Sequence, residues 1–154
     1  MRIQTRCFGE IDLSGEKIIT FERGLFGFED YKRYTILYDI DEEDVSISWL
    51  QSVDEPSLAL PVINPGLVKK DYNPVLEDEL LDHLGELTEE NIIIFVTVSV
   101  PQDAKNTTVN LKAPIVINSD TRKGCQVVAE NQDYPVKYKV YHATSDDNGK
   151  DGAS

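Results

Sequence analysis

Apolar and polar residues alternate with a period of two along most of the chain, in short stretches bounded by Gly, Pro, Asn and Asp. That is the pattern of β-strands with one face buried. Such stretches run over residues 2–8, 17–21, 34–38, 45–51, 57–63, 91–100, 113–118, 124–129 and 138–141. The clearest is 91–100, where Ile92, Ile94, Val96, Val98 and Val100 share one face and Thr97 and Ser99 the other. It predicts a half-buried strand near the middle of a sheet. One segment is spaced as a helix instead. Val75, Leu76, Leu80, Leu81 and Leu84 form an apolar stripe, with Asn73 as cap, Pro74 in the first turn and Gly85 at the end. Many short strands and little helix predict a mainly β fold, a small antiparallel β-barrel-like or sandwich domain with one short helix. Nucleotide-binding designs built on βαβ units do not fit this order.

With 154 residues, 40% of them hydrophobic, the chain has the size of one domain. Residues 1–142 are expected to form it, and 143–154, rich in Asp and Gly, a flexible polar tail. The longest apolar run, from Ile92 to Val96, is too short to cross a bilayer, and the first residues hold no apolar signal core. A cytoplasmic protein with no membrane partner is expected. Cys7 and Cys125 form neither a disulfide framework nor a Cys-x-x-Cys motif, and both are expected to be reduced and buried.

Charge changes this picture more than composition does. The formal net charge is −13, and the excess lies between residues 35 and 94, where fifteen acids face only Lys69 and Lys70. The acids crowd at Asp39, Asp41, Glu42, Glu43 and Asp44, and again at Glu77, Asp78, Glu79, Asp82, Glu86, Glu89 and Glu90. Such a field repels nucleic acid, whose binding needs cations on its phosphates, so no direct nucleic-acid partner is expected. It attracts a basic protein and speeds the encounter, or it only solvates the surface.

Catalytic chemistry finds no anchor in the sequence. Only two histidines are present, there is no Gly-x-Ser-x-Gly elbow, and His142 borders the polar tail. Gly24-Leu25-Phe26-Gly27 lacks a following Gly-Lys-Ser/Thr, and its neighbouring phenylalanines would crowd a phosphate. The run from Asp39 to Asp44 departs from the calcium-loop template, with Asp44 and Leu50 where Gly and Glu belong. Glu79 and His83 are spaced to share a helix face, but a third ligand is missing, which leaves a surface pair as the plainer reading. No enzyme, cofactor or metal is expected.

The segment 21–28 carries two glycines and three phenylalanines, a costly composition for a loop that only faces water. Glycine points to positive φ or close backbone approach, and the phenylalanines need something to pack on. Two readings follow. Either the loop folds back and plugs the end of a small barrel, or part of it docks an apolar partner. Trp49, in a strand that runs into the turn at Asp54-Glu55-Pro56, reads as a core residue.

At these residues the sequence resembles the FliW flagellar assembly factors of bacteria. The resemblance is carried by Phe21-x-x-Gly24-Leu25-x-Gly27-Phe28, by Trp49-Leu50-Gln51-Ser52-x-Asp54-x-Pro56-x-Leu58-Ala59-Leu60-Pro61-Val62, by Pro65 and Tyr72, and by Leu111-Lys112-Ala113-Pro114-Ile115-Val116-Ile117-Asn118. It extends over roughly residues 3–141, with Leu60 where members often carry Phe. The resemblance implies a small β-barrel-like fold without enzymatic activity and a partner switch in flagellum biogenesis. Proteins of this kind act as flagellin-binding chaperones and also bind CsrA, an RNA-binding dimer that represses translation of flagellin mRNA. Flagellin awaiting export holds the factor. Once exported it leaves the factor free to antagonise CsrA and relieve repression.

Joined to the charge pattern, this resemblance marks two sets of candidate docking residues. Asp41, Glu42, Glu43, Glu77 and Asp78 are the electrostatic candidates, suited to a partner that must be cationic to grip RNA. Phe26 and Phe28 are the apolar candidates, suited to the amphipathic helices of flagellin. The free protein is expected to be a monomer. Two other function classes stay open, an acidic nucleic-acid mimic that blocks another basic protein, and a metal-dependent hydrolase built on the acidic loop.

Overall fold

Seven strands close into a barrel because their alternate side chains share one apolar interior. The computed structural model describes residues 1–38 and 47–140, the side chain of Glu16 apart. The acidic run 39–44 and the expected tail 143–154 lie outside the described residues.

The chain opens with a hairpin of β1 (Arg2–Thr5) and β2 (Gly9–Asp12), which stands apart from the main sheet. The barrel is made of β3 (Ile19–Phe21), β4 (Arg33–Tyr38), β5 (Ser48–Ser52), β6 (Ala59–Ile63), β7 (Ile92–Ser99), β9 (Ile115–Asn118) and β10 (Lys123–Gln126). Neighbours pair antiparallel from β3 through β7, then β7 with β9 and β9 with β10. A parallel pairing of β10 with β3 closes the ring. The expected fold class is therefore found, as a barrel and not a sandwich. Two short strands, β8 (Thr108–Val109) and β11 (Tyr138–Lys139), extend the sheet beyond β7.

Period-two spacing fills the interior, with Ile19 and Phe21, Tyr34, Leu50, Val62, Phe95, Ile115 and Ile117 all pointing inward. Buried Leu25 and Leu58 join them from the loops. The strand at 92–99 departs from the expected one-sided burial. Phe95 faces the interior, with Ile93 packed against the same cluster. Val96 and Val98 lie in a second cluster with Ile63, Leu111 and Tyr134. Ile92 packs against a third, formed by Leu84, Val116, Cys125 and Val127. β7 is thus covered on both sides, since the connecting segments are wrapped over the outer face of the barrel.

The helix is shorter than its apolar stripe predicts. α1 spans Asp78–Leu81 and passes into a 3-10 turn, Asp82–Leu84, that ends at Gly85 with φ +90°. Residues 73–77 stay outside the helix because their backbone is used elsewhere. Asn73 N–H donates to the Tyr134 hydroxyl and Val75 N–H to Asn131 Oδ1, both at 2.7 Å, while Glu130 N–H donates to Val75 O at 2.8 Å. Glu77 takes the capping position expected of Asn73. Asn118, fully buried at the end of β9, anchors the far end of this segment. Its Nδ2 donates to Leu84 O and Glu86 O at 2.9 and 3.1 Å, and its Oδ1 accepts from Asp120 N–H and Thr121 N–H.

Two further expectations are corrected. Trp49 is half-buried on the outer face, opposite Leu37 and Pro61, because the inward position of β5 belongs to Leu50. Cys7 is exposed in the turn between β1 and β2, whereas Cys125 is buried, and burial pushes its thiol up to about 11.

Candidate protein-docking site

The loop after β3 is folded by its two glycines. Gly24 N–H donates to Phe21 O and Phe28 N–H to Leu25 O, each at 2.8 Å, which makes two consecutive tight turns. Gly24 has φ +68°, and a Cβ there would stand 2.6 Å from Glu29 Cα, so the position accepts only glycine. Gly27, at φ +88°, takes the left-handed place in the second turn. The two readings of this loop prove to concern different residues. Phe21 and Leu25 plug the barrel end at 0% and 1% exposure, while Phe26 and Phe28 stay outside at 49% and 36%.

The structure separates Phe26 from Phe28. Phe28 borders a recess with Arg6, Tyr31, Glu55 and Leu58. Phe26 borders a different groove, of about 550 Å³, formed between this loop, α1 and the end of β10. Its position is fixed by a hydrogen bond from its N–H to Gln126 Oε1 at 2.9 Å, and Gln126 Nε2 donates in turn to Ala113 O at 3.0 Å.

That groove also holds Glu77, so the structure joins one apolar and one acidic candidate from the sequence. Asp78, the first residue of α1, is exposed and adjoins it in the chain. Both acids also suit the positive end of a helix, which gives them a local structural reason as well. Asp41, Glu42 and Glu43 lie outside the described residues. Sequence reasoning missed Arg23, Glu29, Leu80, Val128 and Glu130, which also line the groove. A signal for Val128 was present. In a strand that runs through Val127 and Val128, one of two adjacent valines must face outward.

The motif around Trp49 turns out to shape the β5–β6 turn. Buried Gln51 has Nε2 within hydrogen-bond distance of Ser52 O, Pro56 O and Leu58 O, which share its two N–H donors, and its Oε1 accepts from Arg6 N–H at 2.9 Å. Ser52 Oγ accepts from Asp54 N–H and Glu55 N–H. Arg33 pairs with Asp54 and holds its carboxyl below the usual carboxylate range. Among the described residues no group of three or more His, Cys, Asp or Glu side chains is placed to hold a metal ion. Glu79 and His83 do not share a regular helix face, because α1 gives way to the 3-10 turn between them.

The family model for the FliW protein matches residues 2–140. This chain belongs to the FliW family. A flagellar assembly factor FliW of Lachnoclostridium phytofermentans is 59% identical over 142 residues, which cover 92% of this chain and 91% of that protein. The one from Lachnospira eligens is 51% identical over 143 residues, covering 92% and 95%. A crystal structure of the flagellar assembly factor FliW superposes with a TM-score of 0.84 at 32% identity, covering 92% of this chain and 97% of that one. The chain is thus a FliW-type flagellar assembly factor, a class whose name carries no catalytic activity.

Proposed function

We propose that this chain is a non-enzymatic, cytoplasmic partner switch, which binds flagellin and the repressor CsrA in turn and so couples flagellin export to translation of flagellin mRNA. Family membership supplies the class of task, and the groove that joins Phe26 to Glu77 carries the binding reading. An apolar wall gives a flagellin helix or strand somewhere to bury side chains. The net charge of −13 favours encounter with a protein whose working surface must be cationic, and held beside that surface it repels RNA. The exchange of partners calls for no cofactor.

A gel-shift experiment tests this directly. CsrA is first bound to the leader of flagellin mRNA, and the full chain is then added at micromolar concentration. Release of the RNA is expected. A shift that persists, with CsrA still on the RNA, contradicts the antagonist reading. Recovery from cytosol of a different basic protein, with neither flagellin nor CsrA, would favour the acidic mimic instead.

A further inference from the structure

β10 outlasts its neighbour. The parallel ladder with β3 stops at the Phe21↔Gly124 pair, because the chain turns away at Phe21. On the β9 side the pairing continues, with Val127 N–H donating to Pro114 O at 3.1 Å and Ala129 N–H to Lys112 O at 2.8 Å. Alternate residues of an antiparallel strand aim their backbone groups at opposite edges. Gln126 and Val128 therefore turn theirs away from β9, toward the groove, in the gap between Gly124, paired with Phe21, and Glu130, whose N–H donates to Val75 O. The Val128 N–H and C=O find no hydrogen-bond partner among the described residues, and Val128 is 51% exposed. No lysine or proline blunts this edge between residues 126 and 129.

We infer that this edge is a strand-addition site for an extended peptide segment that carries both apolar and basic residues. Three observations identify the occupant. The unpaired backbone edge calls for a strand, since a helix laid in the groove would bury the Val128 N–H and C=O without partners. Phe26, Leu80 and Val128 call for apolar side chains. Glu29, Glu77 and Glu130, which line the same groove with Arg23, call for basic residues beside them. This deepens the docking reading above and rests on it, by giving the shape and charge of what the groove accepts.

The test uses the full 15N-labelled chain and a synthetic octapeptide of alternating valine and lysine, with the valine–glutamate octapeptide as control. On saturation with the lysine peptide, hydrogen exchange at the Val128 amide slows by at least roughly tenfold, and the glutamate peptide binds at least roughly tenfold more weakly. Val128→Pro removes the donor at the open edge without touching the β9 ladder, so with a normal melting curve it loses the lysine peptide while Val128→Thr keeps it. Unchanged exchange at Val128 in the complex, or wild-type binding by folded Val128→Pro, overturns strand addition. Should the proline variant fail to fold, exchange in the wild-type chain decides alone. Protection by the peptide in a chain that ignores both flagellin and CsrA would overturn the partner switch and leave the strand site standing.

Discussion

Gly124 lies against the ring of Phe21, and a Cβ on it would stand 2.6 Å from Phe21 Cε2 and 2.7 Å from Cζ. The ring cannot give way, since Phe21 is fully buried and meets Tyr34 edge to face at 5.4 Å. The contact seats the barrel plug against β10 and so places the loop that carries Phe26. Gly124→Ala is expected to cost about 1–3 kcal/mol through overpacking. The check is the urea midpoint at constant slope. A change under about 0.5 kcal/mol would show that the plug tolerates displacement.

Phe26 and Phe28 are exposed, so truncating either leaves the fold in place, with stability changes within about 1 kcal/mol. Their binding effects differ, because they border different depressions. Phe26→Ala is expected to weaken flagellin binding by about tenfold, the loss of one well-placed aromatic contact, and Phe28→Ala to weaken it much less. Calorimetric titration of both variants decides. Equal losses would mean that the partner covers both depressions.

Much of the barrel was legible in the sequence because period-two alternation and inward burial are the same fact seen twice. Ile19 and Phe21, or Ile115 and Ile117, announce themselves by spacing alone. β2 escaped because Gly-Glu-Ile-Asp offers one apolar residue, and β8 because two residues make no period. The early start expected for the helix failed for a tertiary reason. The backbone of Asn73 and Val75 bonds to Tyr134 and Asn131, some sixty residues away, which no local pattern reveals. The groove was half legible. Phe26 and Glu77 stood out by type, but only the fold shows that they line one groove, and that Phe28 borders another.

The Tyr34 hydroxyl is buried and has no hydrogen-bond partner among the described residues, and burial pushes its pKa up to about 12. A phenol that holds its proton more tightly when folded contributes stability below its unfolded pKa of about 10. That contribution is lost as pH rises toward 12, where the unfolded chain binds fewer protons than the native one. Stability is expected to fall across this interval, and less steeply in Tyr34→Phe. At neutral pH the same variant is expected to be as stable as the parent or more so, by up to about 1 kcal/mol, since it removes an unpaired hydroxyl. A marked loss at neutral pH would mean that the hydroxyl has a partner in solution.

Reversing Asp41, Glu42 and Glu43 to lysine is expected to weaken CsrA binding roughly tenfold and to flatten its salt dependence. Flagellin binding should change much less. Fluorescence anisotropy over a salt series reads both quantities. Unchanged CsrA affinity at every salt concentration would remove this segment from the interface.

The most direct measurement follows labelled CsrA held by this chain while flagellin is titrated in at micromolar concentration. Expected is a stoichiometric fall in anisotropy to that of free CsrA, with flagellin recovered on the chain. CsrA that stays bound at saturating flagellin, or a chain that binds neither protein, would contradict the exchange.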